Sequence, residues 1–171
     1  MKQKYKAIIK VVVVLVIGFW VLSIIPFNRK IKQEISANIY INGVVSDETS
    51  VFIDGEKSNY LFHDNESFYG NFHVLSYKKT GRDGMSAQIA WKNDEHIQRL
   101  RYYYKGTFPS MDIISTLIIN EKMTQFALMF TDGTVIATSD ELYKIYTQHI
   151  SYNPDTGITS IKAINKIPKI K

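Results

Sequence analysis

The chain has 171 residues, no cysteine and a formal charge of +5. Without cysteine there is no disulfide, no thiolate nucleophile, no Cys-held metal and no residue to acylate as a lipoprotein, so any folded domain must rest on its own apolar core. Setting aside Lys2, Lys4, Lys6 and Lys10 leaves basic and acidic residues nearly balanced, so the pI of 9.2 belongs to the N-terminal end and does not point to nucleic acid.

The first element is apolar. Residues 7–27 read AIIKVVVVLVIGFWVLSIIPF behind the basic MKQKYK. At ~1.5 Å per residue such a helix covers roughly 31 Å, the thickness of a bilayer's hydrocarbon core. The pattern predicts a transmembrane anchor over 7–27, with 1–6 as a basic cytoplasmic N-terminus. Lys10 lies near enough to the end for its stem to carry the ammonium back to the headgroups. Val14 falls mid-span, Trp20 lies well inside it, and Phe27 and Tyr5 are placed for the two interfaces. A buried core helix and a cleaved signal peptide are the rivals. The second needs small residues before the cut, and Ile24-Ile25-Pro26-Phe27-Asn28-Arg29 has none in that pattern. Arg29, Lys30 and Lys32 follow the span, so the lysines before it leave only a small excess. That excess places the rest of the chain outside the cell membrane.

Residues 28–37 are polar and read as a stalk. From Asn38 to about 150 the pattern is one of strands, enough for one β-rich extracytoplasmic domain. Ile39, Ile41 and Val44 alternate with polar residues. Val51 and Ile53 run into Asp54-Gly55, read as a turn pair. Tyr60, Phe62, Phe68, Phe72 and Val74 continue the theme, with Gly70 marking a bulge or a close backbone approach. Thr80-Gly81 and Asp83-Gly84 bracket a turn. Met85, Ala87, Ile89 and Trp91 alternate, as do residues 97–104. Residues 113–120 fit either a helical face or a strand; their β-branched content favours a strand, and the hairpin that follows tips the choice by completing a meander. Residues 126–131 and 134–138 form a hairpin around Asp132-Gly133, with Gly133 at positive φ. Ser139 caps a short helix that has Asp140 and Glu141 in its first turn and reaches about His149. The basic tail, 151–171, carries Ile158, Ile161, Ile164 and Ile167 at intervals of three, a helical or 3₁₀ stripe, and Pro168 stops any regular helix. Its Lys162, Lys166, Lys169 and Lys171 suit an anionic membrane surface or a solvated terminus.

The expected fold is mainly β, or α+β: a transmembrane helix followed by an antiparallel sandwich or open barrel with one short C-terminal helix.

No motif names a reaction. There is no HExxH, P-loop, G-x-S-x-G or dinucleotide fingerprint. Ser110-Met111 matches the pair of membrane-anchored Ser/Lys peptidases, but far from the anchor and with no lysine strand after it. His63-Asp64 with His73 is the one arrangement that can be written as an acid–base cluster, and isolated histidines on half-buried strands are usually structural. Arg99, Arg101, Tyr103 and Lys105 share one face of a strand and present cations and an aromatic to a phosphate-rich polymer or lipid headgroups. The same pattern is common on a solvated antiparallel face. With Trp91, the tyrosines of this strand also suit a stacking platform.

The run Phe68-Tyr69-Gly70-Asn71-Phe72, the hairpin ending in Val135-Ile136-Ala137 and the acidic-capped helix behind an uncleaved anchor resemble small uncharacterised membrane-anchored proteins of low-GC Gram-positive bacteria. The richness in Ile, Lys, Asn and Tyr fits such a genome. The resemblance implies a surface-facing β-rich domain and carries over no functional residue. The expectation is a single-span membrane protein that binds a surface polymer or a membrane-protein partner, with no cofactor, metal or nucleic acid. A toxin-immunity protein and a membrane-anchored hydrolase are the alternatives.

Overall fold

Pro26 separates two unlike parts of the chain. The computed structural model describes residues 2–61, 66–91, 97–104, 111–153, 158–161 and 170, without the side chains of 2–4, 7, 111–114 and 158–161. The first helix, α1 (Lys2–Ile24), has 23 residues and ends just before the proline, whose ring disfavours helical backbone at Ile25. The expected span to Phe27 is therefore too long, because Phe27 already opens the first strand. Along α1 the large apolar side chains from Ile8 onward are 42–68% exposed, Val14 and Trp20 among the most. The uninterrupted stretch with described side chains is 8–24, and among the described residues no helix is long and apolar enough to cross a membrane.

The rest is mainly β. Strands β1 (Phe27–Ile41), β2 (Val44–Asn59), β3 (Ser67–Val74), β4 (Met85–Ala90), β5 (Gln98–Tyr104), β6 (Met111–Ile119), β7 (Phe126–Met129) and β8 (Val135–Ala137) pair in chain order, all antiparallel. The sheet closes through Asn38–Tyr40 of β1 against Val135–Ala137 of β8. It is thus a closed barrel, which corrects the expected sandwich or open barrel. Closure removes most of the unpaired edges that an open sheet would expose.

Two corrections share one cause. Residues 28–37 are no stalk. They form the first part of β1, paired with β2 from Phe27↔Asn59 onward. Their alternation is muted because the inward residues Ile31, Gln33 and Ile35 are only half-buried and the fully buried one, Ala37, is small. The turn between β1 and β2 is Asn42-Gly43, with φ of 52° and 87°, the left-handed pair that a two-residue hairpin needs. Asp54-Gly55 lies instead within β2, and Gly55 faces Gly70 of β3. A Cβ on Gly70 would lie 2.4 Å from the Gly55 Cα, so the expected close approach at Gly70 is present and Gly55 is its partner.

Inside, eight strands leave room for side chains and little else. Phe68, Phe72, Phe126, Ile53, Ile89, Leu100 and Leu117 fill the lumen. Tyr102 is buried among them and its hydroxyl donates to the Phe72 carbonyl at 2.7 Å. Outside, α2 (Asp140–His149) covers β7 and β8. Ser139 caps α2, its hydroxyl accepting from the Leu142 N–H at 3.2 Å, as expected. Leu142 and Tyr146 pack onto Ile118, Ala127, Met129, Val135 and Ala137 in a second core. Tyr143 stacks on Tyr40 at 3.9 Å, and the Tyr40 hydroxyl donates to Asp140. After α2, β9 (Ile150–Asn153) pairs with β10 (Ile158–Ile161), so the start of the tail is a hairpin and no helical stripe. The lysines of the tail lie outside the described residues.

Candidate functional site

Away from α2, the outward side chains of β1, β2 and β3 form a two-by-three grid. Register places Lys32 beside Asp54 and Asp54 beside Asn71. One step along, Glu34 lies beside Phe52 and Phe52 beside His73. Alternation puts all six on one face, because residues two apart on a strand point the same way. The grid forms the floor of a cleft of about 520 Å³ whose far wall is the segment from Thr80 to Met85.

That wall is held in place by Thr80, at the centre of a 3₁₀ turn (Lys78–Gly81) that follows β3. Its buried hydroxyl accepts from the Val74 N–H at 2.9 Å and donates to the Tyr77 carbonyl at 2.8 Å. The turn is thereby tied to the end of β3, and Gly81 sits directly on the His73 ring. A Cβ at Gly81 would lie 2.1 Å from His73 Nε2. His73 in turn tilts against Phe52, with ring centroids 6.4 Å apart.

The floor keeps its polar groups available. Glu34 and Asn71 have no side-chain partner among the described residues. Lys32 and Asp54 meet loosely at 3.8 Å with both side chains largely in solvent, so screening leaves the pair weak. Phe52 is 37% exposed at the centre, an aromatic face open to a ligand.

A second polar cluster lies inside the barrel, at the end where β1 begins. Lys57 points inward on β2 and is 5% exposed. Its ammonium pairs with Glu66, donates to the Glu121 carbonyl at 2.9 Å and lies 4.8 Å from the centre of the Trp91 ring. An enclosed charge needs such partners, and here they join β2, the start of β3, the end of β4 and the loop after β6. Beside it, Gln33 donates to the Met123 carbonyl at 2.8 Å. These bonds hold that end of the barrel together where β8 does not reach β1.

The residues singled out from sequence scatter. His73 is in the cleft, while His63 and Asp64 lie outside the described residues. Arg99, Arg101 and Tyr103 share the outer face of β5, separated from the cleft by β4, and Lys105 lies outside the described residues. The proposed stacking platform does not form, because Tyr102 is inside the barrel and Trp91 packs against its core. Lys10, Val14, Trp20 and Phe27 are all exposed. Among the described residues no three His, Asp or Glu are grouped to hold a metal. The cleft residues Lys32, Glu34, Phe52, Asp54, Asn71 and Gly81 were missed. Their signal was in the alternation of β1–β3, hidden by the misplaced turn at Asp54-Gly55. No family model, no curated protein and no solved structure matches the chain.

Proposed function

We propose that this is a single-span membrane protein that displays its barrel outside the cell membrane and binds through the barrel's outer wall. The observation that carries the reading is α1, which exposes apolar side chains on every face. A helix apolar all round finds its solvent in protein or in lipid. Ala7 to Ile24 lies within it, roughly 27 Å of helix at ~1.5 Å per residue, close to a bilayer core. Lys2, Lys4 and Lys6 before it favour an inside N-terminus. The packed lumen leaves the outer wall as the surface for a partner, a surface polymer or another membrane protein. Binding is favoured over catalysis because the one histidine of the cleft packs on Gly81 and Phe52 and makes no hydrogen bond to a carboxylate among the described residues.

The full chain expressed in a bacterium should remain with the membranes through an alkaline carbonate wash and be released by detergent. Recovery in the soluble fraction overturns the anchor. A reporter enzyme that is active only outside the cytoplasm, fused after Lys171, should be active. A stable but inactive fusion reverses the orientation.

A further inference from the structure

The lining of the cleft discriminates among ligand classes. Three carboxylates, Glu34, Asp54 and Asp83, face two cations, Lys32 and Arg82, so the lining is slightly acidic and disfavours a phosphate or another anion. The carboxylates are not grouped as a metal site. Too many polar groups surround Phe52 for a lipid chain. What remains suits a molecule with an apolar face and a hydroxyl-bearing rim. The Phe52 ring is an exposed platform in the middle of the floor. Around it stand acceptors at Glu34 and Asp54, and an amide at Asn71 that both donates and accepts.

We infer that the cleft binds a pyranose ring of a neutral glycan, its C–H face on Phe52 and its hydroxyls shared among Glu34, Asp54 and Asn71. A carboxylate accepts from two neighbouring hydroxyls at once, which is the arrangement a sugar rim offers. His73, held by Gly81, forms the far side of the platform. The inference rests on the outer wall being the binding surface, and it names what that surface takes.

The test uses the full chain in a phosphocholine-headgroup detergent, so that no sugar headgroup competes. The probes are a neutral tetrasaccharide of glucose, a neutral tetrasaccharide of N-acetylglucosamine, tripolyphosphate and tetra-alanine, titrated by calorimetry. At least one tetrasaccharide should bind saturably. Phe52→Ala and Asn71→Ala should each weaken it on the order of tenfold, the scale of one lost aromatic or hydrogen-bonded contact. Gly81→Ala, which must push the His73 ring aside, should weaken it as well. Arg99→Ala, on another wall, should leave it unchanged. Melting curves of each variant confirm that it is folded. The inference is overturned if folded wild-type chain binds neither tetrasaccharide, if both floor variants bind as the wild type does, or if tripolyphosphate or tetra-alanine binds more tightly. Membrane fractionation is read separately. Chain that stays in the membrane but binds no sugar sinks only the glycan, whereas sugar-binding chain found in the soluble fraction sinks only the anchor.

Discussion

The barrel has two contrasting outer walls built by the same alternation. On β6, β7 and β8 the outward residues include Ile118, Ala127, Met129, Val135 and Ala137, and α2 covers them. On β1, β2 and β3 they are Lys32, Glu34, Phe52, Asp54, Asn71 and His73, and only the edge of a 3₁₀ turn leans over them. Midway along the barrel, behind both walls, the inward residues are apolar, with Ile53 and Phe72 on one side and Leu117 and Leu128 on the other. The outward set alone therefore decides which wall is covered by the chain itself and which is left for something else. Substitutions on the covered wall should register as stability and those on the open wall as binding.

The largest effect sharpens that contrast. Tyr146 is fully buried under α2 and its hydroxyl donates to the Thr116 carbonyl at 2.8 Å. Tyr146→Ala should destabilise the protein by about 3–5 kcal/mol, through the cavity and the lost hydrogen bond. Phe52→Ala on the open wall should cost no more than about 1 kcal/mol, the scale of a cross-strand contact on a half-covered face. Equal losses in thermal melts of the two variants would break the distinction between the walls.

A smaller effect follows from the phenols. Burial holds the hydroxyls of Tyr102 and Tyr146 well above the usual tyrosine range, and it raises Tyr40 and Tyr77 less. For Tyr40 the hydrogen bond to Asp140 adds to the rise. A phenol raised in the fold is neutral there while the unfolded chain ionises. Its contribution is therefore complete below about pH 10 and is lost as the pH climbs above it, by at most about 1.4 kcal/mol per unit and per phenol. Melting temperatures measured from pH 7 to 11.5 should be flat with respect to these groups up to about 10 and then fall. Ultraviolet phenolate absorbance that rises fully before the fold is lost would contradict the burial.

The hairpin between β7 and β8 ranks next. Gly133 has φ of 83° and its N–H donates to the Phe130 carbonyl at 3.0 Å, closing the turn. Gly133→Val should cost about 1–3 kcal/mol, because a β-branched residue resists that backbone and its Cβ would crowd the Tyr152 ring. An unchanged melting temperature would mean the turn can be rebuilt without glycine.

This hairpin also shows what could be read in advance. Asp132-Gly133 stands between two short apolar runs, and Ser139 stands before Asp140 and Glu141. Such local signals lead directly to the turn and the cap that are present. β4 and β5 were legible for the same reason, and β6 only through the hairpin that follows it. The long hairpin was not. Asn42-Gly43 is the stronger turn signal, yet Val44 and Val45 behind it continue the apolar theme, and Asp54-Gly55 offered a competing pair. Choosing between the two requires knowing that Gly55 must meet Gly70 across the sheet, which is a tertiary fact. The cleft was lost with it, since its grid exists only when residue 32 pairs with 54 and 54 with 71. Closure of the barrel was likewise beyond local pattern, because it depends on three residues of β1 meeting β8, far apart in the chain.

The smallest effect concerns the floor of the cleft itself. Lys32 and Asp54 lie 3.8 Å apart, with side chains 86% and 57% exposed. An ion pair so hydrated contributes at most a few tenths of a kcal/mol, and salt screens it. Lys32→Ala should therefore leave the melting temperature within about 1 °C, a shift on the order of 0.2–0.5 kcal/mol for a domain of this size. The substitution also makes the cleft more acidic by one charge and frees the Asp54 carboxylate. If Asp54 serves as an acceptor for a neutral hydroxyl, the variant should bind the tetrasaccharide at least as well as the wild type. If the cleft takes an anion, removing Lys32 should weaken binding, and most strongly at low salt. One calorimetric titration at two salt concentrations separates these outcomes. A stability loss of 2 kcal/mol or more would show instead that the open wall is structural after all, and that the contrast between the two walls does not hold.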